Sequence, residues 1–194
     1  MEKFKENQIL DLILMHIVFA IPTALILIIF QDVAIGARLL IVVVLYNILL
    51  PVWAHLRDHK DWLEIWLFVL PLSILMVFPD WYLASQLQAL SFPPDGFPMI
   101  GAVPFYMAGL WAIPLFLIVF TGLLFKEKGT PMTYLTIIIM SLLLFGGSEA
   151  TLWMLGSWYA HDVFMIGNVA LYIIIPELIL GLSTYIGFLM VREK

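Results

Sequence analysis

The chain has 194 residues and no cysteine, carries a formal net charge of −5, and is 63% hydrophobic with a mean hydropathy of +1.06. That composition excludes an ordinary soluble domain, in which about half the residues are apolar. The missing cysteines exclude disulfides, iron–sulfur clusters and thiol nucleophiles, and the acidic balance argues against nucleic acid as a partner.

Six apolar stretches follow one another, over residues 9–30, 34–54, 62–79, 99–125, 131–147 and 165–191. A bilayer core about 30 Å thick is crossed by about 20 apolar residues of helix. The pattern therefore predicts an all-α, polytopic bundle of six transmembrane helices, a single domain over residues 1–194. The first stretch lacks a small-residue cleavage site and reads as a retained helix. Lys3 and Lys5 precede it; Arg57 and Lys60 lie between stretches two and three, Lys126 and Lys128 between four and five, and Arg192 and Lys194 follow the sixth. Only Arg38 falls on the other side. The positive-inside bias then puts both termini in the cytoplasm and connections 80–98 and 148–164 outside. Segment 80–90 is a candidate interfacial helix, Phe92–Pro98 a rigid proline-rich turn, and the fifth helix is a candidate to continue through Glu149 to about Leu155.

Two words recur at an offset of 66: Met99-Ile100-Gly101-Ala102-Val103 and Met165-Ile166-Gly167-Asn168-Val169. Ala34-Ile35-Gly36-Ala37 is a candidate third copy. They suggest a helical hairpin repeated in parallel, with each Ile-Gly opening a helix at a close helix–helix contact. Repeats in membrane bundles often place a site at their interface.

Glu177 lies about 12 residues into the last stretch, about 18 Å from its outer end. A carboxylate at that depth is costly unless protonated, paired or wetted, so it is a functional candidate; a structural hydrogen bond near Pro176 is the alternative. His16, Asn47 and Asn168 are its candidate partners by depth. Nearer the outer end, Glu149, His161 and Asp162 stand among Trp153, Trp158 and Tyr159, a set suited to proton transfer to an apolar substrate. The aromatic faces suit a developing carbocation, although an aromatic belt at the headgroups accounts for the Trp and Tyr content equally well. His55 and His59 form an HxxxH pair beside Asp58 and Asp61, but the set of metal ligands is incomplete. The pair reads as a juxtamembrane loop, with no metal and no cofactor. Phosphate loops, nucleophile elbows and HExxH are absent.

The run Asp95-Gly96-Phe97-Pro98-Met99-Ile100-Gly101-Ala102-Val103-Pro104-Phe105-Tyr106, followed by Trp111, loosely resembles a stretch in small membrane proteins of carotenoid biosynthesis, the hydratases that add water to a carotenoid end group. In that pattern an acid and tyrosines stand upstream; here Asp80 and Trp81-Tyr82 fit only in part. The resemblance covers about a tenth of the chain and implies an apolar, isoprenoid-like ligand and acid–base addition chemistry. The reading is thus a membrane protein that binds or modifies an isoprenoid-like lipid in a pocket open to the non-cytoplasmic side. Glu149 or Glu177 would be the proton donor, His161 and Asp162 the base pair, and Trp111, Trp153, Trp158, Tyr106, Asn168 and Tyr172 the lining. The alternatives are a non-catalytic membrane subunit or pigment- or lipid-binding scaffold, with a homo-oligomer or a membrane complex as partner, and a small proton-coupled transporter using Glu177.

Overall fold

The computed structural model describes residues 2–94 and 98–193, with side chains from Asn7 onward. Asp95, Gly96 and Phe97 of the proline-rich turn lie outside the described residues. Helix α1 covers Glu2–Ile29, α2 Ile35–Leu56, α3 Lys60–Leu75, α4 Val77–Ser85, α5 Met107–Leu110, α6 Ala112–Phe125, α7 Thr130–Met154 and α8 Leu171–Arg192. Among the described residues, six helical segments are long and apolar enough to cross a membrane, with α3–α4 and α5–α6 each counting as one. The fifth helix does run past Glu149, and α4 occupies part of the segment marked as a candidate helix.

Proline explains the breaks. Pro114 lacks the N–H that would bond to Leu110, and its ring crowds that carbonyl. The chain accordingly turns at Trp111, between α5 and α6. The freed N–H of Ala112 donates to Ser73 Oγ on α3 at 3.0 Å. Asn47 spans the same region: its Nδ2 donates to the carbonyls of Val43 and Gly109 at 2.9 and 3.1 Å, and its Oδ1 accepts from Trp66 Nε1 at 3.2 Å. Gly109 is required there, because a Cβ would sit 2.7 Å from Val43.

Helix α6 lies at the centre, packed against α3, α7 and α8, while α1 packs chiefly on α2. The core is aromatic. Trp62 meets Phe116 and Phe120 edge-on at centroid distances of 5.8 and 5.7 Å, a geometry favoured by the ring quadrupoles. Large apolar side chains such as Ile13, Ile17, Ile21 and Leu25 cover the outside of α1 instead.

The described cations other than Arg38 gather at the end that holds both termini. Arg57 donates to Asp11 through Nε and Nη2 at 2.7–3.1 Å, and the ring of His59 pairs with Asp11 Oδ2 at 2.7 Å. The hydrogen bond to Asp11 holds the guanidinium proton of Arg57 still more firmly than usual. Arg192 pairs with Asp61 and Glu64, and Lys126 with Glu193. His55 is exposed and His59 buried at the mouth of α3. The HxxxH pair therefore does not share a helix face, and the described residues contain no group of metal ligands. Arg38 is buried at the opposite end, where its Nη1 donates to the carbonyl of Leu27 in the last turn of α1 at 2.8 Å. That carbonyl has no partner within its helix, which accounts for the one basic residue on the wrong side.

The repeated words form no helix starts. Met99–Ile100 (β2) pairs with Val103–Pro104 (β3), and Met165–Ile166 (β5) with Val169–Ala170 (β6), each a two-residue antiparallel hairpin. Gly101 and Gly167 hold the first turn position at φ +63° and +59°, the left-handed value that a type II′ turn asks of glycine. Phe105 N–H closes the first hairpin on the Pro98 carbonyl and Leu171 N–H the second on that of Phe164, both at 2.9 Å. So the glycines serve turns rather than helix contacts, and the helices start later than expected, at Met107 and Leu171. Gly36 lies inside α2 with no hairpin, so the third word has a different structure.

Candidate functional site

At the hairpin end the two long connections are fastened together. Leu90–Ser91 (β1) pairs with Tyr159–Ala160 (β4), and the N–H of His161 donates to the Ala89 carbonyl at 2.9 Å. Beneath this clamp lies a cavity of about 200 Å³. Asp80 of α4, Trp111 at the α5–α6 break, Glu149 of α7 and Glu177 of α8 all face it, as do Tyr106, Ser157 and Trp158. Apart from Ser148 the rest of the wall is apolar, built from side chains such as Leu83, Phe92, Phe145 and Leu180.

Each functional side chain is positioned by a local cause. The turn at Trp111 aims its indole N–H at Asp80 Oδ2, 3.1 Å away. The hydroxyl of Tyr106 donates to the Ser157 carbonyl at 3.2 Å, and Trp158 Nε1 to the Glu149 carbonyl at 3.3 Å. Extension of α7 past Gly146 and Gly147 carries Glu149 opposite Glu177, and their carboxyls face one another within hydrogen-bonding reach. The backbone of Ala170 also reaches Glu149. Asp80 is close enough to act on both electrostatically, and all three acids act in the same way on Tyr172. Glu149 Oε2, Glu177 Oε1 and the Tyr172 hydroxyl are buried without a hydrogen-bond partner. Unpaired buried polar atoms are rare in folded proteins and call for an explanation.

The site gathers some of the residues expected from the sequence and disperses others. Glu149, Glu177, Trp111, Trp158 and Tyr106 share the cavity, and Tyr172 stands behind the acids. His161 and Asp162 do not line it; both are exposed, and His161 Nε2 pairs with Ser91 Oγ at 2.7 Å on the outside of the clamp. Trp153 is 37% exposed on α7, and Asn168 occupies the turn between β5 and β6. The expected meeting of Glu177 with His16, Asn47 or Asn168 does not occur. His16 is bonded to its own helix at Leu12 and packs on Tyr46, and Asn47 is engaged by α3 and α5. Because α8 opens at Leu171, Glu177 lies six residues into its helix, about 9 Å from the outer end and not about 18 Å, and Asn168 precedes the helix; for His16 and Asn47 the facing direction is set by packing. Asp80 and Ser157 were not anticipated as wall residues. For Asp80 a signal existed: the apolar run 62–79 continues through Trp81-Tyr82-Leu83, which puts the acid inside a helix rather than beyond one.

The family model of DUF6989, a domain of unknown function, matches residues 77–194. The chain belongs to that family. The DUF6989 segment begins at α4 and contains all four residues at the heart of the cavity, Asp80, Trp111, Glu149 and Glu177, whereas α1 to α3 precede it. No curated protein and no solved structure matches the chain.

Proposed function

We propose that the chain is a multi-pass integral membrane protein with both termini cytoplasmic, and that its cavity, at the non-cytoplasmic end, binds an apolar isoprenoid-like lipid and modifies it by acid–base chemistry. One observation carries this reading: Glu149 and Glu177 face one another in the wall of a largely apolar cavity that Trp111 and Trp158 also line. Exposed apolar faces on the helices and cations gathered at the termini support insertion and orientation. Tyr106 and Trp111, both from the stretch that resembles carotenoid hydratases, line the cavity, which supports the ligand class.

In this reading the protonated member of the glutamate pair gives its proton to one carbon of a ligand double bond. The neighbouring carbon takes the positive charge, which the faces of Trp111 and Trp158 stabilise by cation–π attraction. Water adds to that carbon and its spare proton returns to the carboxylate pair, so that the net change is addition of water. Asp80, held by the Trp111 indole, stands ready to offset the positive charge. A non-catalytic lipid-binding scaffold is the second reading, favoured by how little of the wall is polar; turnover separates the two.

The test is mass spectrometry of lipid extracted from protein purified in mild detergent. A stoichiometric isoprenoid-like ligand, lost when Leu152→Trp fills the cavity, is the expected result. Bulk phospholipid alone, unchanged by that substitution, would overturn the proposal.

A further inference from the structure

The cavity is too small for a whole long-chain lipid. A dry protein cavity of about 150 Å³ holds a ligand the size of benzene. At about 200 Å³, this one holds the end of an isoprenoid and little more. The rest of such a chain needs another path.

A second space of about 300 Å³ lies between α7 and α8, lined by Ser141, Gly146, Val169, Ile174, Glu177 and Leu178 among others. Glu177 belongs to the walls of both spaces. Only 5% of Glu177 is exposed and none of Ser141, and one oxygen of each, Oε1 and Oγ, lacks a hydrogen-bond partner. The helices touch at Gly181, where a Cβ would collide with Ser141 Oγ, whereas a Cβ on Gly146 would meet nothing within 4 Å. The two helices thus pack tightly at one level and stand apart towards the hairpins. A glycine within a helix is destabilising relative to alanine. At Gly181 the close approach of α7 accounts for it; at Gly146 no contact among the described residues does.

We propose that the ligand is a long-chain lipid held by one end, with its reactive terminus in the acid-lined cavity and its tail leaving between α7 and α8, past Glu177 and across Gly146, into the bilayer. The ligand then reaches the site sideways from the membrane. The proposal rests on the lipid reading above and adds the length of the chain and its route. The occupant of the groove is this tail because Glu177 stands in the walls of both the groove and the cavity, and the groove's own wall is largely aliphatic.

The test compares geraniol with the longer geranylgeraniol by native mass spectrometry of the detergent-solubilised chain, in wild type, Gly146→Phe and Gly147→Phe. Gly147 also has open space at its Cβ but does not line the groove, so it serves as the control. Wild type should prefer geranylgeraniol. Gly146→Phe should weaken that binding about tenfold, the loss of roughly two buried methylenes, while geraniol binding changes less than about twofold. Gly147→Phe should leave both unchanged. Gly146→Leu gives the same comparison should the Phe variant fail to fold. Undiminished geranylgeraniol binding in folded Gly146→Phe would overturn the route, as would equal loss of both probes. Conversion of a dimer to a monomer by that substitution, read by light scattering, would also overturn it, assigning the groove to a second copy of the chain. Failure of wild type to bind either probe would instead refute the lipid reading from which the route starts.

Discussion

Replacing Glu177 by Gln separates a chemical role from a structural one. The carboxyl of Glu177 is buried and faces that of Glu149. Gln has the same shape, and its amide N–H can donate to Glu149, so one interhelical hydrogen bond replaces another. Such bonds between membrane helices average about 0.6 kcal/mol, and a chain of this size shifts its melting point by roughly 2–4 °C per kcal/mol. Glu177→Gln should therefore melt within a few degrees of wild type. Glu177→Leu, which leaves the Glu149 carboxyl with the Ala170 backbone alone, should cost about 1–3 kcal/mol. For activity the order of effects is reversed. Loss of a general acid removes roughly 10²–10⁴-fold of rate, so the Gln variant should lose at least two orders of magnitude in turnover of the co-purifying lipid. The infrared band of the protonated carboxyl should fall with it. Full turnover in Glu177→Gln would remove Glu177 from the mechanism, and a melting loss equal to that of the Leu variant would make the pair a structural bond.

Three further outcomes test the frame around the site. Asp11→Ala removes the acceptor shared by Arg57 and His59, so hydrogen exchange in the first turns of α1 should quicken while α6 keeps its protection; uniform exchange would show that the cluster does not anchor α1. Gly122→Ala places a Cβ 2.6 Å from the Tyr185 ring and should cost about 1–3 kcal/mol by overpacking, whereas Gly146→Ala should be neutral or gain roughly 0.5–1 kcal/mol; equal melting points would contradict the α6–α8 spacing. A cysteine at Tyr159, which is 44% exposed, should react with an impermeant reagent on intact cells, and one at His55 only after permeabilisation; the reverse pattern would invert the proposed orientation and put the cavity on the cytoplasmic side.

Much of the frame was legible in the chain because hydropathy and helix length are local quantities. Six apolar runs gave six helices, the spacing of Arg and Lys gave the end at which the described cations other than Arg38 gather, and the extension of α7 through Glu149 was foreseeable. The suspicion of Glu177 came from depth alone, which 1.5 Å per residue supplies. The recurring Met-Ile-Gly words were visible too, but their meaning was misread. An Ile-Gly pair in an apolar run suits a helix contact as well as a turn, and only the backbone, with glycine at a left-handed φ and a strand partner two residues on, selected the hairpin.

The composition of the site, by contrast, belongs to the tertiary structure. A sequence fixes how far along its helix a side chain lies but not the direction it faces, which depends on how ridges and small residues of neighbouring helices interlock. That is why His16 and Asn47, at a plausible depth, turn to other partners, while Asp80 joins Glu149 and Glu177 from a helix that runs six residues past the end of its apolar stretch, to Ser85. The β1–β4 clamp pairs segments about 70 residues apart and leaves His161 and Asp162 outside. From the sequence alone, Glu149, His161, Asp162, Trp153 and Trp158 formed one cluster; packing kept Glu149 and Trp158 at the cavity, brought Asp80, Trp111 and Glu177 to them, and left His161 and Asp162 on the surface.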